Sequence, residues 1–318
     1  MNQNKSIISQ PLANLSDVNR PVSVPSFSAR SEEMFPIARN ASGPVRFNMT
    51  NDYMFRAVLQ TNNKVLRGLI CSLLHLSEEE VISAEIINPI ILGESVDNKE
   101  FRLDINVRLN NQMILNLEMQ VVDKLNWQNR SLIYLCRSFD QLQHGQEYDE
   151  IQPVIHIGFL DYTLFKESPE FYATYKLINV KKHDVYSDNL VLSVVNLSRI
   201  DLATDEDKKY QIDYWARLFK ATRWEEIHML ASENTYINEA SNTIFRLSAE
   251  EDIRKQCQAR EDYYREIRTF KKIIAEKDAL IERAIAEKSL IEKTIAEKDS
   301  DIQRLQAEIE RLKEIAGN

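Results

Sequence analysis

The sequence predicts an α/β fold in which helices flank a mixed β-sheet, followed by a helical region and a C-terminal coiled coil. Alternating apolar and polar residues at 103–121 predict a β-hairpin. A predicted helix at 126–143 leads into the apolar strand 153–160, which indicates a parallel crossover beside that hairpin. Heptads at 270–316 predict the coiled coil.

The composition is that of a globular protein with a sizeable core, since 43% of the 318 residues are hydrophobic and 28% are charged. The chain has no run of 18 apolar residues and no apolar signal peptide in MNQNKSIISQ, which predicts a cytoplasmic protein without a membrane partner. Its three cysteines lie far apart and show no metal-ligand spacing, as expected in a reducing compartment. The net charge of −9 excludes a wholly basic surface, so nucleic-acid binding would need a local patch or a metal ion.

Four segments follow one another along the chain. Residues 1–44 hold five of the eight prolines and predict a disordered leader, which is either a solvated tail or an arm. Residues 45–200 contain the predicted sheet, residues 201–265 carry helix-spaced apolar residues, and residues 266–318 form the predicted coiled coil.

The elements of the sheet segment are predicted from local patterns. The run Thr50-Asn51-Asp52 can cap the first helix. Pro89 interrupts the first strand, because proline has no N–H to donate to a neighbouring strand. The predicted helices cover 53–59, 64–76 and 126–143, and the predicted strands cover 81–92, 103–109, 113–121, 153–160 and 191–197.

The last segment repeats every seven residues. Lys277, Lys288 and Lys298 interrupt its seam, which weakens a coiled coil and can select its register or partner number. A single solvated helix held by Glu–Lys pairs is the alternative. Because the seam is uninterrupted from Ile302 to Leu312, we expect a coiled coil and a homodimer. The a positions are Ile274, Ile281, Lys288, Ile295, Ile302, Ile309 and Ala316, and the d positions are Phe270, Lys277, Ala284, Ile291, Lys298, Leu305 and Leu312.

The hairpin predicts a pair of opposed carboxylates. A turn at 110–112 places Asp104 opposite Glu118 and Arg102 opposite Gln120. Opposed side chains on one face have Cβ atoms about 4.5–5.5 Å apart. Two carboxylates at that distance repel each other unless a proton or a cation lies between them. The alternative is a pair of acids on a solvent-facing sheet surface.

A divalent cation is the natural partner for these acids. Asp104 and Glu118 would supply carboxylate oxygens and Met119 its main-chain carbonyl, a ligand set that suits Mg²⁺ or Mn²⁺. An ion held in this way activates water and neutralises charge on a phosphate oxygen.

Three runs of the chain carry a more specific pattern. They are FRLDINVRLNNQMILNLEMQ (101–120), NRSLIYLCRSFDQLQHGQEYDEIQPVIHIGFLDYTLF (129–165) and SNTIFRLSAEEDIRKQCQAREDYYRE (241–266). With these runs the chain resembles the recombination-promoting nucleases, the PD-(D/E)XK nuclease family transposases, over roughly residues 45–265. The combination of an aspartate, Glu-x-Gln, Arg-x-x-x-Tyr and the strand PVIHIGFLDY is specific, whereas the acids alone would be a weak signal.

The resemblance implies a restriction-endonuclease-like fold for the nuclease-like domain at 45–200. It implies that Asp104 is the metal-binding aspartate and that Glu118 is the second acid. Gln120 occupies the position of the superfamily's catalytic lysine, and because glutamine can neither take up a proton nor bear a positive charge there, activity would depend more on the metal. Asp52 is a candidate for the acidic residue of the family's first helix. A first-turn aspartate favoured by the helix dipole is the alternative for Asp52.

Further candidates follow the hairpin. Arg130 and Tyr134 lie four residues apart on one helix face, where Arg130 would bind a DNA phosphate or form a salt bridge to the acidic surface. His156 lies in an apolar strand and is expected to be a satisfied core histidine. The basic loop 181–183 would contact the DNA backbone or remain solvated.

These features predict a metal-dependent DNA endonuclease that acts in recombination or on mobile elements, with Mg²⁺ or Mn²⁺ as cofactor and DNA as partner. One alternative is a catalytically weak or inactive nuclease fold that binds DNA or assembles through its coiled coil. Another is a nuclease of the defence or toxin type.

Overall fold

A computed structural model describes residues 36–90, 92 and 104–316 of the chain. The helices are α1 (Pro36–Arg39), α2 (Asp52–Thr61), α3 (Asn63–Leu74), α4 (Trp127–Phe139), α5 (Asp205–Lys209), α6 (Ile212–Lys220), α7 (Trp224–Glu233), α8 (Thr235–Ala249) and α9 (Glu251–Ala316). The strands are β1 (Ala84–Ile86), β2 (Ile105–Leu109), β3 (Met113–Gln120), β4 (Val154–Leu160), β5 (Tyr172–Ile178) and β6 (Val185–Asn196). Among the described helices, none combines the length and the hydropathy that a membrane-spanning segment requires.

The described strands form one sheet in the order β1-β2-β3-β4-β6-β5. β4 runs parallel to both β3 and β6, whereas the other pairs are antiparallel. The predicted mixed sheet is therefore confirmed. α4 lies in the connection from β3 to β4, which a parallel pair requires.

β2 and β3 form the predicted hairpin. Leu109 pairs with Met113, as the predicted turn requires. Asn110 and Asn111 in the turn adopt left-handed backbone conformations, with φ of 52° and 55°, which asparagine tolerates better than most residues. Arg102 of the predicted hairpin lies outside the described residues.

Helices cover both faces of the sheet. On one face, Leu115 and Leu117 of β3 belong to the main hydrophobic core, which side chains of α2, α3, α6, α7 and α8 complete. On the other face, Ile114 packs with Leu135 of α4 and Val154 of β4. Every residue of β3 is buried, so the alternative of a solvent-facing acidic surface is wrong, because α4 covers that face.

A glycine allows α4 to approach the sheet closely. The ring of Trp127, the first residue of α4, is 2% exposed. A Cβ added to Gly158 of β4 would lie 2.1 Å from Cη2 and Cζ2 of that ring, which no side chain could tolerate. Because Gly158 pairs with Glu118 in the ladder, this contact places the start of α4 beside the acidic side chain.

β1 is shorter than the predicted strand 81–92. The side chain of Asn88 donates to the carbonyl oxygen of Asp104 and accepts from the main-chain N–H of Asn106, both at 2.9 Å. A side-chain amide therefore replaces ladder pairing just before Pro89, which has no N–H to donate. Residues 91 and 93–103 lie outside the described part of the chain.

Ordered structure extends beyond the predicted sheet segment at both ends. Residues 1–35 of the predicted leader lie outside the described residues, but 36–44 include α1 and a β-bridge from Pro44 to Arg223. The described helices up to Asp262 belong to the same compact unit as the sheet, and α8 packs against α2 and α3. The helical region thus contributes to the core of the sheet.

The second compact unit comprises residues 263–318. α9 covers the predicted heptads, and the isoleucines at its a positions are exposed, for example Ile302 at 51% and Ile309 at 52%. Lys288 Nζ lies 3.8 Å from Glu292 Oε1 on its surface. The segment is therefore helical, and its pairing into a coiled coil stays a prediction.

Candidate active site

The main chain at Asp104, immediately before β2, is held by a buried arginine. Arg56 of α2 is fully buried, and its guanidinium donates to the carbonyl oxygens of Asp104 and Asn88. Burial lowers the pKa of Arg56, whereas the Asp104 charge opposes that shift. α2 and the segment after β1 therefore fix the point at which Asp104 enters the site.

The carboxylate of Asp104 is oriented by an asparagine of β3. Asn116 Nδ2 donates to Asp104 Oδ2 at 3.1 Å and to Asn106 Oδ1 at 2.5 Å. Asp104 Oδ1 is buried and has no hydrogen-bond partner. Asn116 therefore holds one oxygen of the aspartate and leaves the other available to a ligand.

Glu118 lies beside Asp104 on the neighbouring strand. Ile105 pairs with Leu117, so Asp104 and Glu118 are next in register, as the sequence predicted. Glu118 is 4% exposed. Its Oε1 accepts a 2.7 Å hydrogen bond from Arg130 Nε, whereas its Oε2 is buried without a hydrogen-bond partner.

Burial raises the pKa of Glu118 to about 7. Arg130, through its charge and its hydrogen bond, opposes this shift, and Asp104 adds to it through like-charge repulsion. Glu118 is therefore an acid that holds its proton up to neutral pH, unless a cation nearby stabilises the ionised form.

The unpaired oxygens fit a divalent metal ion. Asp104 Oδ1 and Glu118 Oε2 are buried oxygens on adjacent segments of the hairpin, and neither accepts a hydrogen bond. A bound cation would offset the cost of burying them without a hydrogen-bond donor. The described residues contain no group of three or more His, Cys, Asp or Glu that could hold a metal. The site would therefore offer two carboxylates, with a carbonyl and water completing the shell, as is usual for Mg²⁺.

The carbonyl of Met119 is directed to the correct edge of β3 for this role. Ile114 N donates to Pro153 O, and Gln120 O accepts from Asp161 N. Even-numbered residues of β3 thus direct their main-chain groups towards β4. Because these directions alternate along a strand, the Met119 carbonyl is directed towards β2, on the side of Asp104.

Gln120 is held in place by a tyrosine. Its Nε2 donates to the hydroxyl of Tyr162 at 2.8 Å and to the carbonyl of Val122 at 3.4 Å. Burial raises the pKa of Tyr162, so its hydroxyl remains protonated. The residue in the lysine position is therefore a buried amide with a fixed orientation.

Comparison with known protein families bears on this arrangement. The model of the PD-(D/E)XK nuclease family transposases matches residues 49–273. The chain belongs to this family. No curated protein and no solved structure matches the chain. The match includes the acids of the hairpin, α4 and the helices around the sheet, and the mixed α/β architecture is consistent with the PD-(D/E)XK fold.

Within this family framework, Arg130 lies in the site as the partner of Glu118. Its guanidinium also stacks on the ring of Tyr134, with Cζ 4.9 Å from the ring centroid. The salt-bridge alternative for Arg130 is the arrangement in the structure, and a phosphate contact by Arg130 or Tyr134 stays a prediction.

Asp52 is engaged by a helix distant in sequence. Arg260 of α9 donates to both carboxylate oxygens of Asp52, with Nε at 2.8 Å from Oδ1. Both side chains are 8% exposed. The pair joins the start of α2 to α9, and a catalytic role for Asp52 stays a prediction.

His156 of β4 is buried, as predicted, but it is not satisfied. Both ring nitrogens lack hydrogen bonds, and Nε2 lies 3.8 Å from Glu118 Oε2. Burial, reinforced by the Arg130 charge, lowers the pKa of His156 to about 3, so the ring is neutral. The basic loop 181–183 is exposed in the turn between β5 and β6.

Sequence reasoning missed three residues that position the acids: Arg56, Asn116 and Tyr162. Asn116 had a usable signal, because it lies two residues before Glu118 on the same face of an alternating strand. Arg56 had a weaker one, as a charged residue in an apolar helix. Tyr162 is the last residue of the PVIHIGFLDY run, which placed it just after β4 but gave no sign of its contact with Gln120.

Proposed function

We propose that this protein is a divalent-metal-dependent DNA endonuclease that hydrolyses phosphodiester bonds. One observation carries the proposal: Asp104 and Glu118, adjacent in register, each present a buried carboxylate oxygen without a hydrogen-bond donor. Membership of a nuclease family supports hydrolysis of nucleic acid as the chemistry. A role in recombination or mobile elements follows from that membership alone.

Asp104, Glu118 and the Met119 carbonyl would hold Mg²⁺ or Mn²⁺, which supplies a Lewis acid and lowers the pKa of bound water. Asn116 keeps Asp104 oriented. Arg130 stabilises the ionised form of Glu118 against the effect of burial. These contacts prepare the carboxylates to act as ligands before substrate arrives.

Gln120 would orient water or a phosphate oxygen by hydrogen bonds alone. Its Nε2 is already engaged by Tyr162, so the amide cannot rotate freely. Because an amide neither gains nor loses a proton at neutral pH, Gln120 cannot act as a general base, and proton transfer would depend on other groups.

Substrate would reach the site through a pocket of about 220 Å³ beside Asp104. One wall comes from α4 and the other from the start of β2 and from β3. The residues that line it are Ile87, Asp104, Asn106, Ile114, Asn116, Tyr134, Arg137 and Ser138. Glu118 is not among these lining residues and is almost fully buried.

Plasmid cleavage by the full chain tests the proposal. Cutting should require Mg²⁺ or Mn²⁺ and stop with a chelator. Asp104→Ala should reduce the rate by more than the roughly 10–100-fold that loss of an outer-shell partner costs. Asp140→Ala, which removes an exposed aspartate just after α4, is the matched control and should cut normally. Equal cutting by Asp104→Ala would contradict the site.

A second candidate is a nuclease fold that has lost catalysis and serves in DNA binding or assembly. The near-complete burial of Glu118, with its raised pKa, and the absence of a lysine at Gln120 favour it. Metal titration separates the two functions: no binding of Mn²⁺ at millimolar concentration would support the second.

A homodimer formed by a coiled coil over 266–318 is part of either proposal. The apolar a and d residues of α9 are exposed from Phe270 to Leu312, and pairing would remove them from water. Two copies would bring two sites to one DNA molecule.

A further inference from the structure

Two arginines of α4 differ in what they contact. Arg130 and Arg137 are seven residues apart, which is close to two helical turns, so they share one face of the helix. Arg130 is bound to Glu118 and stacked on Tyr134. Arg137 is exposed and, among the described residues, forms no ion pair.

Arg137 lines the same pocket as Asp104. Of the described residues in the lining, Arg137 alone carries a positive charge, and Asp104 alone a negative one. The others are amides, hydroxyls and two isoleucines. Because the whole chain has a net charge of −9, an anion would need such a local cation to approach this acidic site.

The wall formed by α4 is suited to a phosphate. Tyr134, Arg137 and Ser138 are three and four residues apart, so their side chains lie side by side on the helix. A guanidinium binds phosphate oxygens through two parallel hydrogen bonds. The hydroxyls of Tyr134 and Ser138 are further donors on the same wall.

Arg130 is poorly placed for this task. Its Nε donates to Glu118 Oε1, and withdrawing it would leave a buried carboxylate without its one hydrogen-bond donor in the described structure. Such a loss costs more than a surface contact does. Arg130 is therefore better suited to remain bound to Glu118 than to bind a phosphate.

We infer that Arg137, and not Arg130, binds a phosphate of the nucleic-acid backbone at this pocket. This phosphate would lie next to the phosphodiester that is hydrolysed at Asp104. The inference rests on the proposed function and assigns its substrate contact to a residue that sequence reasoning passed over. Arg137 contacts substrate without contacting the metal ligands.

Fluorescence anisotropy tests the assignment without using cleavage as the readout. The probe is a short labelled DNA oligonucleotide, single-stranded and as a duplex, measured with Ca²⁺ over a range of salt concentrations. Arg137→Ala should weaken binding of the form preferred by the wild type about 10-fold. It should also reduce the slope of log Kd against log salt by about 0.7–0.9, the loss of one phosphate contact. Arg137→Lys should restore the slope but not the full affinity, because an ammonium group cannot bind with the same two-pronged geometry.

Arg246→Ala is the matched control. Arg246 is an exposed arginine on α8, a helix that packs against α1, α2, α3 and α7, and its loss changes the net charge equally. It should bind like the wild type. Unchanged binding by Arg137→Ala, or equal weakening by Arg246→Ala, would overturn the inference and leave the proposed function intact. A wild type that binds neither form of DNA would overturn both.

Discussion

Arg130 of α4 donates a 2.7 Å hydrogen bond from Nε to Oε1 of Glu118 on β3. This ion pair joins the helix that covers the sheet to the acid at the end of the central hairpin. It compensates only part of the cost of burying Glu118, because Oε2 has no hydrogen-bond donor and the pKa is still raised to about 7. A cation bound beside Glu118 would offset the remaining cost of burying its carboxylate.

The raised pKa of Glu118 predicts how stability depends on pH. The folded protein keeps a proton on Glu118 between about pH 4.5 and 7, where the unfolded chain has lost it. The free energy of unfolding of the metal-free wild type therefore falls as pH rises through this window. Glu118→Gln removes that loss of stability, so it should be more stable than the wild type by about 3 kcal/mol at pH 8 but by only about 1 kcal/mol at pH 5.

Urea denaturation with a chelator at pH 5 and pH 8 measures this difference. Glu79→Gln, at an exposed position, should follow the wild type at both values. Parallel behaviour of the wild type and Glu118→Gln would mean that Glu118 is ionised throughout and that its burial has little electrostatic cost.

The contact between Gln120 and Tyr162 predicts non-additive effects on cleavage. Gln120→Ala should slow single-turnover cleavage by about 10–100-fold. Tyr162→Phe should slow cleavage less, because it removes only the hydroxyl that holds the Gln120 amide in place. The double variant should be no slower than Gln120→Ala, since Tyr162 acts through Gln120. Additive losses would indicate that Tyr162 has a role of its own.

The pair of Asp52 and Arg260 predicts a structural role for both residues. Because the pair is buried, removing one partner with Asp52→Asn or Arg260→Gln should reduce the free energy of unfolding by about 3–5 kcal/mol. At a temperature where the variants remain folded, both should still cleave DNA. Loss of cleavage in fully folded Asp52→Asn, but not in Arg260→Gln, would instead favour the catalytic assignment.

The seam of α9 predicts the oligomeric state. Ile302→Asp combined with Ile309→Asp places charge at two a positions and should convert a dimer to a monomer in light scattering. Ala307→Asp, at the outward f position of the same heptad, is the control and should remain dimeric. An unchanged mass for the double variant would remove α9 from the account of assembly.

The hairpin was predictable because its determinants are local. Period-two alternation defined β2 and β3, and Asn110-Asn111 marked the turn, so the register that aligns Asp104 with Glu118 followed by counting. The parallel position of β4 followed from the helix between two strands. Family membership, read from the same runs, was confirmed.

The surroundings of the acids were not predictable, because they depend on packing between distant segments. Amphipathic patterning predicts the helix α4 but not where it packs. The absence of a side chain at Gly158 lets Trp127 pack against β4, and this contact places Arg130 next to Glu118. β5 was missed because it is an edge strand with mostly exposed side chains, and it lacks an apolar alternation. Strand propensity also predicted too long a first strand. β1 ends at Ile86, and beyond it the side chain of Asn88 takes the place of main-chain hydrogen bonds to the next strand.

Mn²⁺ binding to the full chain, measured by calorimetry at pH 6.5, tests the central claim most directly. The wild type should bind one ion and release protons, because Glu118 must ionise to act as a ligand. Asp104→Asn and Glu118→Gln should lose this binding, although Glu118→Gln remains at least as stable as the wild type, and Asp140→Asn should retain it. Equal binding by Asp104→Asn, or no binding by the wild type up to millimolar Mn²⁺, would contradict the account.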